Sequence, residues 1–176
     1  MKSPPQLDEQ QRLFIDNFAQ TWTLAGTNAM DGRVLGYLLI MDAEYISSAD
    51  LGSVLSASPG SISVSTRRLL NLAMIKRHWI PGDRNHYFSA ESDPWGSFLE
   101  NGREPTARLR EATRMAHQLI PSLSASSKAR IDNATDYFIW IEGRTDSLVE
   151  EWEAYKKARP SETVFEQSDK DSQRSA

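Results

Sequence analysis

The sequence predicts a mainly α-helical fold with one small β-hairpin. Two short helical patterns, 49–56 and 59–72, follow each other closely, and the second begins with Ser58 as its cap and Pro59 in its first turn. A hairpin pattern comes next, in which turn residues 81–85 separate two short strand-forming runs. Two helices, a turn and a hairpin in this order form a winged helix-turn-helix, whose second helix enters the major groove of DNA.

Within this module, Ser48 is expected to cap the first short helix. In the second helix a buried stripe is expected to face the core, formed by Ile62, Ser65 or Thr66, Leu69 and Leu72. The opposite face carries small hydroxyl side chains at its start and arginines one turn later, a pattern that suits contacts with phosphates and base edges.

Two further helices are predicted before the module. The first covers 8–25 and is amphipathic, while the second covers 32–41, is capped by Asp31 and is apolar nearly all round. A helix that is apolar on all sides is buried, so the second helix is expected to form the core of the domain.

After the hairpin, helical pieces are expected from Pro94 and over 106–120, followed by a long helix over 125–158. That last helix, about 50 Å long, places apolar residues at alternating steps of three and four, with Thr145 as the one polar member. We expect this seam to pack against a second copy of the chain, and an intramolecular hairpin with 106–120 is the alternative. The predicted dimerisation residues are Ile131, Ala134, Phe138, Ile141, Leu148 and Trp152.

The expected domain organisation has four parts. A disordered leader covers 1–6, a winged helix-turn-helix domain 7–92, a helical dimerisation region 93–159, and a polar disordered tail 160–176.

Composition narrows the class of protein. The chain has 176 residues, no cysteine and a net charge of −4, which excludes disulfides and thiolate metal sites and argues against indiscriminate binding of nucleic acids. It contains no apolar run near the roughly 18 residues of a transmembrane helix and no signal peptide, so a cytoplasmic protein without a membrane partner is expected. The winged stretch 48–90 is the one net-basic segment, with five Lys or Arg against two Asp or Glu.

Three short motifs in the module resemble the MarR superfamily of transcriptional regulators, and its GbsR-like branch in particular. Residues 58–63 read SPGSIS, similar to the S-x-G-S-[VI]-S opening of that branch's recognition helix. Residues 79–84 read WIPGDR, similar to its W-x-P-G-D-R wing, and the aromatic pair Tyr87-Phe88 follows. The resemblance covers about 15–95 and implies a homodimer that binds a pseudo-palindromic operator on double-stranded DNA and responds to a small molecule, more often as a repressor.

The sequence departs from that pattern at a few positions. Val64 replaces a polar or basic groove residue, Ala73 replaces the glycine that usually ends the recognition helix, and Asn85-His86 replaces a more charged wing return. These changes bear on the operator sequence and not on the fold, since Val64 is able to contact a thymine methyl.

The candidate DNA-binding residues follow from the module and the resemblance together. Helix residues 61, 63, 64 and 67 are expected nearest the bases, residues 58, 68 and 76 at phosphates, and Arg84 in the minor groove. The full predicted set is Ser58, Gly60, Ser61, Ser63, Val64, Arg67, Arg68, Lys76, Arg84 and Asn85.

No catalytic, metal or cofactor motif accompanies the module, so an enzyme is not expected. A small-molecule effector site is predicted among the aromatic residues Trp22, Trp95, Tyr137 and Trp140, which are alternatively core or dimer residues. The alternative to a DNA-binding regulator is a winged-helix protein-interaction module with no operator. It predicts nucleic-acid binding that is weak, purely electrostatic and sensitive to salt.

Overall fold

A computed structural model describes residues 6–159 of the chain. The predicted leader (apart from Gln6) and the predicted tail lie outside the described residues. The described part contains seven helices and three strands in the order α1 Glu9–Leu24, α2 Ala29–Ile40, β1 Ile46–Ser47, α3 Ser48–Val54, α4 Pro59–Asn71, β2 Ile75–His78, β3 Tyr87–Ala90, α5 Pro94–Asn101, α6 Arg103–Leu119 and α7 Ala125–Ala158. The predicted fold class, mainly helical with a small β wing, is confirmed.

The chain forms two compact units, with the boundary after Arg108, inside α6. The N-terminal unit holds the winged module, and the C-terminal unit holds most of α6 and all of α7. The boundary expected from sequence after residue 92, between a DNA-binding domain and a dimerisation region, remains a prediction.

The core of the N-terminal unit surrounds α2, as its all-round apolar pattern predicted. Residues Val34, Leu35, Tyr37 and Leu38 of α2 are buried. They join a single apolar cluster with residues from α1, α3, α4 and the sheet, which include Ile15, Leu51, Leu55, Ile62, Leu69, Ile75 and Phe88. Burial raises the pKa of the Tyr37 phenol, with a smaller contribution from the Asp50 charge.

The predicted caps of two helices are wrong by one to three residues, and α6 begins at Arg103, three residues before the predicted start at 106. Helix α2 begins earlier than expected because Asn28 caps it, accepting a hydrogen bond from the Met30 N–H at 2.9 Å. Asp31 is therefore not the cap but lies in the first turn. Helix α3 is capped by Ser47 and not by Ser48, and the Ser47 hydroxyl accepts from the Asp50 N–H at 3.0 Å.

The three strands form an antiparallel sheet in the order β1-β3-β2. Strands β2 and β3 are the predicted hairpin, whereas β1 was not predicted because two residues carry no periodicity. In this sheet Ile46 lies opposite Phe88, and His78 lies opposite Tyr87.

Helix α4 matches the prediction closely, with Ser58 as its cap and Pro59 in the first turn. Ile62, Ser65, Thr66 and Leu69 are buried as expected, while Leu72 is only partly buried. The chain then turns at Ala73, which has φ +54°. This is the left-handed conformation that favours glycine, so the alanine occupies a position where most helices of this kind place glycine.

The C-terminal unit is an antiparallel helical hairpin. Arg110 of α6 donates from Nε to both carboxylate oxygens of Glu142 on α7, at 2.9 and 3.1 Å. His117 and Asp132 meet nearer the connecting loop, at 2.7 Å between Nε2 and Oδ1. The intramolecular hairpin that the sequence left as an alternative is thus present, and the dimer remains a prediction. No helix among residues 6–159 is long and apolar enough to cross a membrane.

Candidate nucleic-acid interface

The outer face of α4 presents small and polar side chains to solvent. Ser63, Val64 and Arg67 are exposed, and Val64 has an exposed fraction of 38% although it is apolar. This exposure follows from the helical period, because Ile62, Thr66 and Leu69 occupy the buried face of the same helix. The face combines hydroxyls, one methyl-bearing side chain and one cation, a set that can contact base edges in a groove.

The N-terminus of α4 is open to an incoming anion. The Ser58 hydroxyl accepts from the Ser61 N–H at 3.2 Å, which leaves its own O–H free to donate. Gly60 is exposed, and a Cβ built on it would meet no atom within 4 Å. Its N–H belongs to the first-turn groups that have no intrahelical acceptor.

The wing loop, residues 79–86, joins β2 to β3 and carries Arg84 and Asn85 at exposed positions. Gly82, with φ +82°, makes the tight turn. At the return end of the loop, the His86 carbonyl accepts from the Ser48 N–H at the start of α3, at 2.8 Å. Trp79 at the other end has an exposed fraction of 79%, the second largest among the exposed apolar side chains of the described residues.

One carboxylate organises the loop from inside. Asp83 accepts the Tyr87 O–H at 2.6 Å and the Asn85 N–H at 2.8 Å. The hydrogen bond from Tyr87 lowers the pKa of the Asp83 carboxyl below its usual range, and the same bond raises the pKa of the Tyr87 phenol. Because the pKa of Asp83 is lowered, the carboxylate contributes to stability until the pH falls through that pKa. Because the pKa of Tyr87 is raised, the protonated phenol contributes to stability until the pH rises through the pKa of the phenol. The bond is therefore expected to persist across the neutral range.

Arg68, predicted at a phosphate, is engaged inside the N-terminal unit. Its Nε and Nη2 donate to the two carboxylate oxygens of Asp31, both at 2.6 Å. The Asp31 side chain is only 6% exposed, whereas that of Arg68 is 42% exposed. The hydrogen bond that Arg68 donates to Asp31 raises the pKa of the guanidinium further above its ordinary value. Arg68 therefore links α4 to α2, and only its remaining N–H groups are available for a phosphate.

Lys76 is also paired, with its Nζ 3.1 Å from a carboxylate oxygen of Glu91. Both side chains are partly exposed, and a surface pair of this kind contributes little stability and exchanges readily. Arg77, its neighbour on β2, is exposed and was not among the predicted residues. The signal for Arg77 was available in the sequence, as the second basic residue of a strand beside the wing.

The four aromatic residues predicted for an effector site fall in different units. In the N-terminal unit Trp22 stacks on Phe18 with ring centroids 5.8 Å apart, and Trp95 is exposed. In the C-terminal unit Tyr137 and Trp140 are exposed neighbours on α7 with ring centroids 6.2 Å apart. Glu142, two residues after Trp140 on the same helix, is paired with Arg110. The effector site remains a prediction.

The predicted dimer seam of α7 is divided between two environments. Within the C-terminal unit Ile131, Ala134, Phe138 and Ile141 are partly buried, on the stretch of α7 that also meets α6 through Asp132 and Glu142. Leu148 is exposed and Trp152 is partly buried, with its ring stacked on that of Tyr155 at 5.8 Å. A second exposed apolar face of α7, which the sequence analysis did not single out as a dimer surface, carries Tyr137 and Trp140.

Comparison with known proteins gives a consistent picture at the level of fold. No family model matches the chain. The chain is 25% identical over 129 residues to the HTH-type transcriptional regulator MmpR5 of Mycobacterium tuberculosis, an alignment that covers 73% of this chain and 78% of the relative. The crystal structure of a transcriptional regulator superposes with a TM-score of 0.72 at 22% identity, covering 82% of this chain and 99% of that one.

Wild-type MarR from E. coli matches with a TM-score of only 0.39 at 16% identity, over 73% of this chain and 90% of that one. A TM-score this low does not establish a shared fold over the whole chain. The winged helix-turn-helix fold therefore rests on the elements described above and on the match at 0.72.

Proposed function

We propose that this protein is a homodimeric, sequence-specific DNA-binding transcriptional regulator of the MarR type, in its GbsR-like branch, that acts as a repressor. One observation carries the proposal: the exposed face of α4, with its serines, Val64 and Arg67, and the exposed Arg84 of the wing belong to one winged module. That module is the net-basic stretch of an acidic chain. The regulator named MmpR5 supports the same class of function.

In this proposal α4 lies in the major groove and the wing reaches the minor groove. Ser61, Ser63, Val64 and Arg67 face the bases, with Val64 suited to a thymine methyl and Arg67 to guanine. Arg84 suits a narrow, electronegative minor groove. Contacts with phosphates come from Ser58, from the N–H groups at the start of α4 and from the surface lysine Lys76.

A dimer places two such modules on a pseudo-palindromic operator, with half-sites one helical turn apart or a multiple of it. Large apolar side chains exposed on the C-terminal unit support a partner surface, because monomeric proteins rarely expose many of them on one helix. They include Tyr137, Trp140, Leu148 and Tyr155. A small-molecule effector would act by favouring one spacing of the two recognition helices over another.

Selection of bound duplexes from a random DNA pool tests the proposal. The wild type is expected to yield one palindromic motif, and Arg67→Ala and Arg84→Ala are each expected to weaken binding to it by about 10-fold or more, since each removes a base or groove contact worth about 1–3 kcal/mol. Arg144→Ala on α7, another exposed arginine, is the matched control. Recovery of no motif, with salt-sensitive binding that both variants retain, would refute the proposal.

Gly60 gives an independent prediction within the same interface. A helical glycine costs about 1 kcal/mol of stability relative to alanine, and nothing in the described structure fills the space beside it. Gly60→Ala is therefore expected to leave the free energy of unfolding equal or higher, yet to weaken operator binding about 10-fold, because a methyl group blocks close approach of a phosphate to the helix.

The control is Gly143→Ala on α7, where a Cβ also meets nothing within 4 Å. It is expected to match Gly60→Ala in stability and to leave the operator dissociation constant unchanged. Equal dissociation constants for the two variants would remove Gly60 from the interface.

The exposed Trp79 favours one second candidate, a protein-interaction module, because tryptophan is enriched at protein interfaces. The selection experiment separates the two candidates, since a protein-interaction module yields no motif.

A further inference from the structure

The wing loop is held to the sheet by a small set of contacts centred on Asp83. The Asp83 carboxylate accepts the Tyr87 O–H at 2.6 Å, so the loop is tied to the first residue of β3. It also accepts the Asn85 N–H at 2.8 Å, which fixes the two residues on either side of Arg84 relative to each other. Arg84 therefore projects from a segment that the Asp83 side chain holds on both sides, in addition to the backbone bonds from Asp83 N–H to the Ile80 carbonyl at 3.1 Å and from Ser48 N–H to the His86 carbonyl at 2.8 Å.

Tyr87 is itself fixed by the sheet. Its ring makes an edge contact with Tyr45, with centroids 5.4 Å apart and an interplanar angle of 78°. Tyr45 also contacts His78 at 5.4 Å between centroids, and His78 lies opposite Tyr87 in the β2–β3 register. On the far side of the cluster, His78 Nε2 lies 2.8 Å from the Ser89 hydroxyl. The phenol that holds Asp83 thus comes from a ring cluster built by residues of β2 and β3 and by Tyr45, the residue before β1.

A carboxylate in this place carries an electrostatic cost for the proposed function. Asp83 is adjacent in sequence to Arg84 and lies in a loop that would approach phosphates, so its negative charge reduces the attraction between wing and DNA. A carboxylate at such a position gives a net benefit only if its hydrogen bonds order the loop before binding, because ordering a flexible loop on binding lowers affinity.

We infer that Tyr87 and Asp83 are positioning residues for the wing: their hydrogen bond orders the loop in the free protein and so places Arg84 for the minor groove. This inference rests on the proposed function for its effect on DNA, whereas the ordering of the loop does not depend on it. The charge on Asp83 that opposes binding at long range is outweighed by the order that it gives to the loop.

The first test measures loop order without DNA. In the full-length protein, backbone ¹⁵N order parameters at Arg84 and Asn85 are expected near the rigid value of about 0.85 in the wild type and below about 0.6 in Tyr87→Phe and Asp83→Ala. Tyr45→Phe, which keeps the ring contact and leaves the Tyr87–Asp83 bond intact, is the matched control and is expected to stay rigid. Equal order in wild type and Tyr87→Phe would overturn the inference.

The second test measures binding to the selected duplex. Tyr87→Phe and Asp83→Ala are each expected to raise the dissociation constant about 3- to 10-fold, the effect of losing one hydrogen bond. A purely electrostatic role for Asp83 predicts the opposite sign for Asp83→Ala, namely tighter binding. In an Arg84→Ala background, Tyr87→Phe should have less than a twofold effect, because the residue that it positions is gone.

The outcomes separate the inference from the proposed function. If the wild type selects no motif, the proposed function fails, and the order parameters still decide whether Tyr87 and Asp83 hold the loop. If the wild type selects a motif but Tyr87→Phe weakens binding equally with and without Arg84, the positioning role is wrong while the proposed function stands.

Discussion

Arg68→Met is expected to lower the free energy of unfolding by about 3 kcal/mol, since removing one partner of a buried ion pair leaves the other charge without compensation. The Asp31 carboxylate is 6% exposed, and both of its oxygens accept from Arg68. The value belongs at the low end of the range for buried pairs because the Arg68 side chain is 42% exposed and water reaches it. Urea denaturation measures this difference as a lower midpoint with an unchanged slope.

The control is the double variant Asp31→Asn with Arg68→Met, which removes the buried charge together with its partner. We expect it to recover more than half of the stability that Arg68→Met loses. A single variant as stable as the wild type, or a double variant no better than the single, would show that the pair does not anchor α4 to α2.

Gly32→Ala is expected to cost about 3 kcal/mol, at the upper end of the range for overpacking a core. A Cβ at this position would lie 2.7 Å from the Cα of Ala19 and 2.9 Å from the Cβ of Trp22. Because the first of these atoms is backbone, α1 and α2 must move apart, and a rotamer change alone does not relieve the contact.

Thermal or urea unfolding checks this value, with Gly143→Ala as the matched control. Gly143 lies in open space on α7, so its replacement is expected to be neutral or to stabilise by up to about 1 kcal/mol. If Gly32→Ala were as stable as Gly143→Ala, the close approach of α1 and α2 would not be a constraint on the fold.

Local signals explain which parts of the fold the sequence predicted well. Helix α4 was placed correctly because Ser58 and Pro59 mark its start and a clear apolar stripe marks its buried face. Helix α7 was placed at 125–158 because steps of three and four between apolar residues continue from 131 to 155, with Thr145 as the one polar member. Each signal lies within a few residues of the element that it defines.

The features that the sequence did not reveal depend on contacts between distant segments. Asp31 and Arg68 are 37 residues apart, so nothing local distinguished an ion-paired carboxylate from a helix cap. Strand β1 exists because Ile46 pairs with Phe88, far along the chain. The apolar seam of α7 has the same spacing whether its partner is α6 or a second copy, so the pattern could not separate the two.

The sequence predicted which surfaces form the candidate interface but not the hydrogen bonds and ion pairs between its side chains. The exposed side of α4 and the position of Arg84 follow from periodicity and turn chemistry. The pairing of Lys76 with Glu91 and the bond between Tyr87 and Asp83 required coordinates, because each joins a strand residue to a residue outside the strands.

The ratio of two dissociation constants tests the central claim most directly. We would measure binding of the full-length protein to the selected duplex and to a scrambled duplex of the same composition, at one physiological salt concentration. The proposed regulator predicts binding to the selected duplex at least about 10³-fold tighter. A ratio near one, with both constants rising together as salt is added, would contradict sequence-specific recognition by α4 and the wing.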